Sequence, residues 1–267
     1  ASVNGYADIV DVLIDAGADI NKQTNDGWTP LHMASEKGHV DVVGALISAG
    51  ADINKLDNHE WSPLYKASWN GYVDVVRVLI DAGADINAKH KSDLTPLYWA
   101  RGEKHFDVVK VLIIGGATPS DDWTPLHVAA IKDDVNSFKS ILDANKGVET
   151  AIKGMINKPD SDGRTPFWWA CALNHKEIVQ WLITSGCVKV DPSSEMAQSL
   201  LHVVCLNGHT EMVQLLIGAG VDGNGSDKFE RPLCAAARGG HVDVSRMLID
   251  AGACALQSDI SIAAEQK

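Results

Sequence analysis

The sequence predicts an all-α solenoid, a stack of about seven to eight helix-turn-helix units with projecting hairpin loops. Two observations predict it. The tetrapeptide Thr29-Pro30-Leu31-His32 returns as Ser62-Pro63-Leu64-Tyr65 and as Thr95-Pro96-Leu97-Tyr98, each time 33 residues on. It continues, at intervals of 29, 41, 34 and 32 residues, as Thr124-Pro125-Leu126-His127, Thr165-Pro166-Phe167-Trp168, Ser199-Leu200-Leu201-His202 and Arg231-Pro232-Leu233-Cys234. Behind each copy comes a second motif, seen most clearly as Val42-Val43, Leu46-Ile47 and Gly50-Ala51-Asp52-Ile53-Asn54, and repeated from Val75 to Asn87. A fixed period of this length marks units that cannot bury an apolar face alone and must stack on a neighbour.

One unit can be justified residue by residue. Thr29 is a good N-cap, Pro30 suits the first helical position, and Gly38 ends a short first helix in a left-handed turn. Asp41 then falls near the start of a second helix, where its charge favours the helix dipole. Val42, Val43, Leu46 and Ile47 give that helix an apolar stripe until Gly50 stops it. Asp52-Ile53-Asn54 leads into the next hairpin loop. The expected boundaries are a partial repeat at 1–21, repeats at 22–54, 55–87, 88–118, 119–157, 158–191, 192–224 and 225–258, and a truncated one at 259–267, all in a single domain 1–267. Ala1 to Tyr6 reads as the end of a first helix, matching Ala67 to Tyr72, and Asp259 to Ala264 as a shortened one, so the chain reads as a piece of a longer array. The long interval carries an insertion around Asn145 to Asn157, with Lys146, Lys153 and Lys158, that is either a binding feature or a tolerated surface loop. At the hairpin tips Gly27 and Gly163 supply the expected turn residue. Glu60, Asp93, Asp122, Ala197 and Phe229 replace it, so a different turn is expected at some of these tips.

The composition is that of a folded chain, 45% hydrophobic and 22% charged. A net charge of −12 opposes binding to nucleic acid or to anionic lipid. No apolar run approaches the roughly 20 residues of a membrane helix.

The repeat resembles the ankyrin repeat family over nearly the whole chain. That resemblance implies L-shaped units, an open groove, and partners bound along the hairpin tips and the exposed positions of the first helices. On those positions the partner-binding candidates are Trp28, Trp61, Trp69, Trp123, Asp26, Glu36, Lys37, Glu60, Asn70, Asp122, Arg164, Leu173, Leu206 and Arg238. Tryptophan is enriched among residues that dominate binding energy, and an aromatic line beside acids suits another protein, a basic or amphipathic segment. Packing of the indoles against neighbouring hairpins is the competing reading, and Trp99, Trp168, Trp169 and Trp181 fall at more interior positions, where packing is the favoured reading. The expectation is a noncatalytic protein-interaction scaffold in the cytoplasm, with the nucleus or the cytoplasmic side of a membrane complex as alternatives. A structural tether is a second reading. In a third, the chain is the substrate of an asparaginyl hydroxylase, at Asn21, Asn54 and Asn87.

Chemistry of other kinds finds no support in the motifs. Eight of the ten histidines sit at repeated positions, and only His59 and His90 lie elsewhere. The five cysteines contain no Cys-x-x-Cys pair. Phosphate-binding, nucleophile-elbow, zinc-protease and dinucleotide motifs are missing. No cofactor, metal, small-molecule substrate or catalytic residue is expected.

Overall fold

The computed structural model describes residues 1–144, 149–186, 188–225 and 229–256, with only the backbone of 149–151. The expected helix at 259–264 and Lys146 of the insertion lie outside the described residues. Two compact units form, residues 1–120 and 121–267.

Unit 1 begins with a short 3-10 turn, Ser2–Asn4, followed by α1 (Ala7–Asp15), α2 (Pro30–Lys37), α3 (Val40–Ser48), α4 (Pro63–Asn70), α5 (Val73–Asp81), α6 (Pro96–Gly102) and α7 (Phe106–Ile114). Two layers result. In one, the 3-10 turn packs on α2, α2 on α4 and α4 on α6; in the other, α1 packs on α3, α3 on α5 and α5 on α7. The buried stripe between them is the one the repeat predicts: Leu31 and Ala34, Leu64 and Ala67, Leu97 and Ala100 from the first layer, with Val42, Leu46, Val75, Leu79, Val108 and Leu112 from the second.

Local chemistry sets each start and stop. The side chains of Thr29, Ser62 and Thr95 accept the backbone N–H of His32, Tyr65 and Tyr98, and a proline follows each cap. Losing such a cap costs ~1 kcal/mol. Gly71 ends α4 at φ 79°, and its missing side chain is needed twice over. A Cβ there would stand 2.5 Å from the His105 ring, which reaches back to hydrogen-bond the Trp69 carbonyl at 2.9 Å. The repeated glycine and the repeated histidine are therefore one device linking successive units, used again by Gly5 with His39 and, in unit 2, by Gly208 with His241.

The hairpins close through single backbone pairs, Thr24 N–H to Trp28 O, Asp57 N–H to Trp61 O and His90 N–H to Leu94 O, without forming a strand among the described residues. At two of the tips without glycine the turn does not change. Glu60 and Asp93 adopt the same left-handed turn as Gly27, with φ of 66° and 59° against 80°. A non-glycine residue in that region costs roughly 1–2 kcal/mol. At the Glu60 tip the Asp57 carboxylate offsets it by accepting the N–H groups of His59 and Trp61 at 2.8 and 2.9 Å.

Unit 2 contains α8 (Pro125–Lys132), α9 (Val135–Asp143), α10 (Glu149–Ile156), α11 (Pro166–Ala172), α12 (Lys176–Thr184), α13 (Glu195–Leu206), α14 (Thr210–Gly218), α15 (Pro232–Arg238) and α16 (Val242–Asp250). First helices again stack, α8 on α11, α11 on α13 and α13 on α15, while α9 packs on α12 and α14 on α16. The insertion supplies α10. One correction concerns α13. The motif places its start at Ser199, but Leu200 stands where other units have proline, so nothing stops the helix from extending towards the N-terminus. It starts instead behind Ser194, whose side chain accepts the Ala197 N–H, and the tip position Ala197 is helical.

Candidate functional site

The first helices and hairpin tips of unit 1 bring aromatic and charged side chains together around Lys66. This lysine, the fourth residue of α4, is only 4% exposed. Its ammonium lies 4.0 Å from the centre of the Trp28 ring and 3.9 Å from that of Trp61. Glu36 and Asp57 stand 3.5 and 3.7 Å from it. Burial pulls the Lys66 pKa down, and the two carboxylates oppose that shift. A cation removed from water thus keeps its charge partners on two sides and indole rings on two others, which is the condition under which cation–π attraction is strongest.

From this point the aromatic surface continues along the layer. Trp61 stacks on Tyr65 with centroids 5.4 Å apart and meets Trp69 at 5.6 Å. Trp69 in turn lies nearly parallel to Trp99, at 4.3 Å and 7°. Tyr98 meets Trp99 edge-on at 5.6 Å and is 53% exposed. His90 touches both Trp61 and Tyr65. Burial pushes the Tyr65 hydroxyl up to about 12, so it stays neutral at physiological pH.

The candidate residues fall into distinct settings. Trp28, Trp61 and Trp69 belong to the cluster, each partly exposed. Glu36 also reaches Lys37, and Asn70 donates to the Lys66 carbonyl at 2.9 Å. Asp26 and Glu60 are exposed at the tips, Glu60 paired with Lys91 at 3.7 Å. In unit 2, Asp122 accepts the Ser161 N–H at 2.6 Å, Arg238 pairs with Glu230, and Leu206 is half-buried. Trp123 and Leu173, each 8% exposed, lie in the core, which removes them from any open contact line. The Trp123 indole N–H is spent on Asp160 at 3.2 Å. Arg164 spreads over Trp168 and Trp169, 5.1 and 5.4 Å from their ring centres, and pairs with Asp162 at 3.1 Å.

Asn21, Asn54 and Asn87 have a shared role in the fold. Each side-chain oxygen accepts a backbone N–H one unit on, at Asp52, Asp85 and Thr118, all at 2.8 Å. Asn224 does the same for Cys254. The third-residue histidines are structural too: His32 accepts the Thr29 N–H on Nδ1, which leaves its Nε2–H to donate to the Trp61 carbonyl at 2.9 Å.

Sequence reasoning missed Lys66, Tyr98 and the exposed pairing of Trp99. The signal for Lys66 was available: it is a lone cation at a position occupied by Met33, Trp99 and Trp169 elsewhere, beside two tryptophans one period apart. Elsewhere in unit 1 an apolar cleft of about 240 Å³ lies among Val10, Leu13, Ile14, Ile20, Met33 and Leu46, with Ser2 and Asp19 its only polar lining residues. Among the described residues no three of His, Cys, Asp and Glu gather to hold a metal ion. Burial raises Cys205 to about 12 and pushes Cys171 up as well, which suits inert core thiols rather than nucleophiles. None of the described helices is long and apolar enough to cross a membrane.

Comparison with known proteins gives a consistent picture. A family model described as ankyrin repeats (3 copies) matches residues 1–90, 97–194 and 188–259, and one described as ankyrin repeats (many copies) matches 71–113. Among curated proteins, the probable 26S proteasome regulatory subunit p28 of Saccharomyces cerevisiae is 33% identical over 135 residues, 49% of this chain and 56% of that one. The palmitoyltransferase Hip14 of Drosophila melanogaster is 27% identical over 100 residues, 35% of this chain and 16% of that one. The matched region therefore spans well under two thirds of either relative.

Proposed function

Because the chain belongs to the ankyrin repeat family, whose repeats generally mediate protein–protein interaction, we propose that it is a noncatalytic scaffold that binds a partner protein along the first-helix face of unit 1. One observation carries this reading. A contiguous aromatic surface, Trp61, Trp69, Trp99 and Tyr98, is left partly open on a rigid two-layer support, with Glu36 and Glu60 beside it. Partly exposed indoles held by stacking bind at low entropic cost, and the chain's net charge of −12 steers a basic partner towards them. The description of the yeast relative as a regulatory subunit supports an adaptor role. Catalysis has no foothold in the cluster: its acids are committed to Lys66 and to hairpin backbone, and its tyrosine is held neutral.

The test is affinity capture with the intact chain and with Trp69→Ala, after both are shown to melt cooperatively. The scaffold reading expects a defined set of captured proteins that the variant loses. An identical set from both would remove the aromatic surface from the function.

A further inference from the structure

Resting on that scaffold reading, we propose that the open end of the aromatic surface, formed by Trp69, Trp99, Tyr98 and the notch at Gly102, is a subsite for an arginine side chain of an extended partner segment. The unit's own use of cations is the first argument. Trp28 and Trp61 are both taken by Lys66, whose ammonium sits within 4.0 Å of each ring centre. No lysine or arginine among the described residues lies over Trp69 or Trp99. The same kind of indole surface is therefore filled by an internal cation at one end and left open at the other.

The shape of the first-helix face agrees. The seventh residue of the first helix is Glu36 in α2 and Trp69 in α4, and these side chains cover Lys66 and Trp99 of the following helix. In α6 the seventh residue is Gly102, one turn beyond Trp99 on the same helical face. A Cβ placed there meets nothing within 4 Å, so the flank of Trp99 on that side has no side chain from its own helix over it. On the same helix, one turn back, stand the flat rings of Trp99 and Tyr98. A guanidinium is planar, weakly hydrated and stacks on aromatic faces, whereas an ammonium keeps its water and needs close carboxylates such as those around Lys66.

Charge completes the case. The whole chain carries −12, so a cationic segment is favoured over an acidic one by its overall field, while at the helix end beside Gly102 the exposed Glu103 is followed by the exposed Lys104.

The experiment selects a displayed library of random linear peptides on the intact chain, then measures each winner with its arginines changed in turn to citrulline or to lysine. Binding is also measured to Gly102→Leu, which puts a side chain where a Cβ meets nothing within 4 Å, and to Tyr98→Ala. We expect winners that carry arginine, a loss of affinity of ~10-fold with citrulline, a smaller loss with lysine, and a comparable loss on Gly102→Leu whose melting temperature does not fall. Winners that need Trp69 but bind equally well with citrulline, or with lysine, would overturn the arginine subsite and leave the scaffold intact. Winners indifferent to Trp69→Ala, Tyr98→Ala and Gly102→Leu alike, or no winners at all, would overturn both.

Discussion

Unit 1 and unit 2 close the same hairpin with the same acid and satisfy it by opposite chemistry. Asp57 and Asp160 occupy equivalent tip positions, and one oxygen of each accepts two backbone N–H groups of its own turn. The other oxygen meets the cation Lys66 in unit 1, but in unit 2 it accepts two indole N–H groups, from Trp123 and Trp169, at 3.2 and 3.1 Å. The surrounding triad is inverted accordingly. In unit 1 a cation sits between two indoles, Trp28 and Trp61; in unit 2 the indole of Trp169 sits between another indole, Trp123, and a cation, Arg164. A buried carboxylate requires partners but does not specify them. Beside these two acids, lysine at the fourth helix position goes with flanking indoles that stay partly exposed, Trp28 and Trp61, and tryptophan with buried ones, Trp123 and Trp169.

That comparison can be broken most forcefully at the acids. Asp57→Ala leaves Lys66 buried with Glu36 as its one remaining carboxylate and is expected to cost about 3–5 kcal/mol in urea unfolding. Asp160→Ala removes the acceptor of two indole and two backbone N–H groups and is expected to cost about 2–4 kcal/mol, the indoles being neutral. Equal and small losses at both would show that neither acid organises its tip.

A transplant sharpens it further. Lys66→Trp together with Trp61→Arg writes the unit 2 triad into unit 1. The pair is expected to be more stable than the sum of its single substitutions by about 1–2 kcal/mol, because each completes the other's contacts. Strict additivity in a double-mutant cycle would mean that the two triads are unrelated.

Next in size is a dependence on pH. His32 and His127, one in each unit, have pKa values lowered by burial, against weaker raising contributions from hydrogen bonds to Trp61 and Arg164 and from nearby acids. The unfolded chain therefore binds protons that the fold refuses. Stability should be full above the usual histidine value near 6.5 and fall as the pH drops below it. His32→Gln with His127→Gln should flatten that slope in melts taken between pH 7 and pH 5, roughly the range over which histidine charges. The smallest effect is expected at Gly102→Leu, which should leave stability unchanged or raise it by less than ~1 kcal/mol.

How much of this was legible in the sequence depends on whether a property is periodic. Thr29, Pro30, Gly38 and the Val42 to Ile47 stripe recur at a fixed interval, so their roles could be read off one unit and extended to the rest. Breaks in the period were harder. Glu60 keeps a glycine-type turn because Asp57 holds it, a contact between residues whose types say little by themselves. The core placement of Trp123 was hidden because its equivalents Trp28 and Trp61 stay partly open, whereas Trp123 is held against Asp160 and Trp169. Lys66 was passed over since a lysine on a short helix ordinarily faces solvent, and only the convergence of four side chains keeps this one inside.

The central claim, that unit 1 offers its open aromatic face to a protein ligand, is tested most directly by hydrogen exchange of the chain with and without a selected peptide. Protection concentrated in α4, α6 and the tips around Trp61 and His90, with α5, α7 and unit 2 unchanged, is the predicted result. Protection centred on the second-layer helices, or on unit 2 alone, would contradict it.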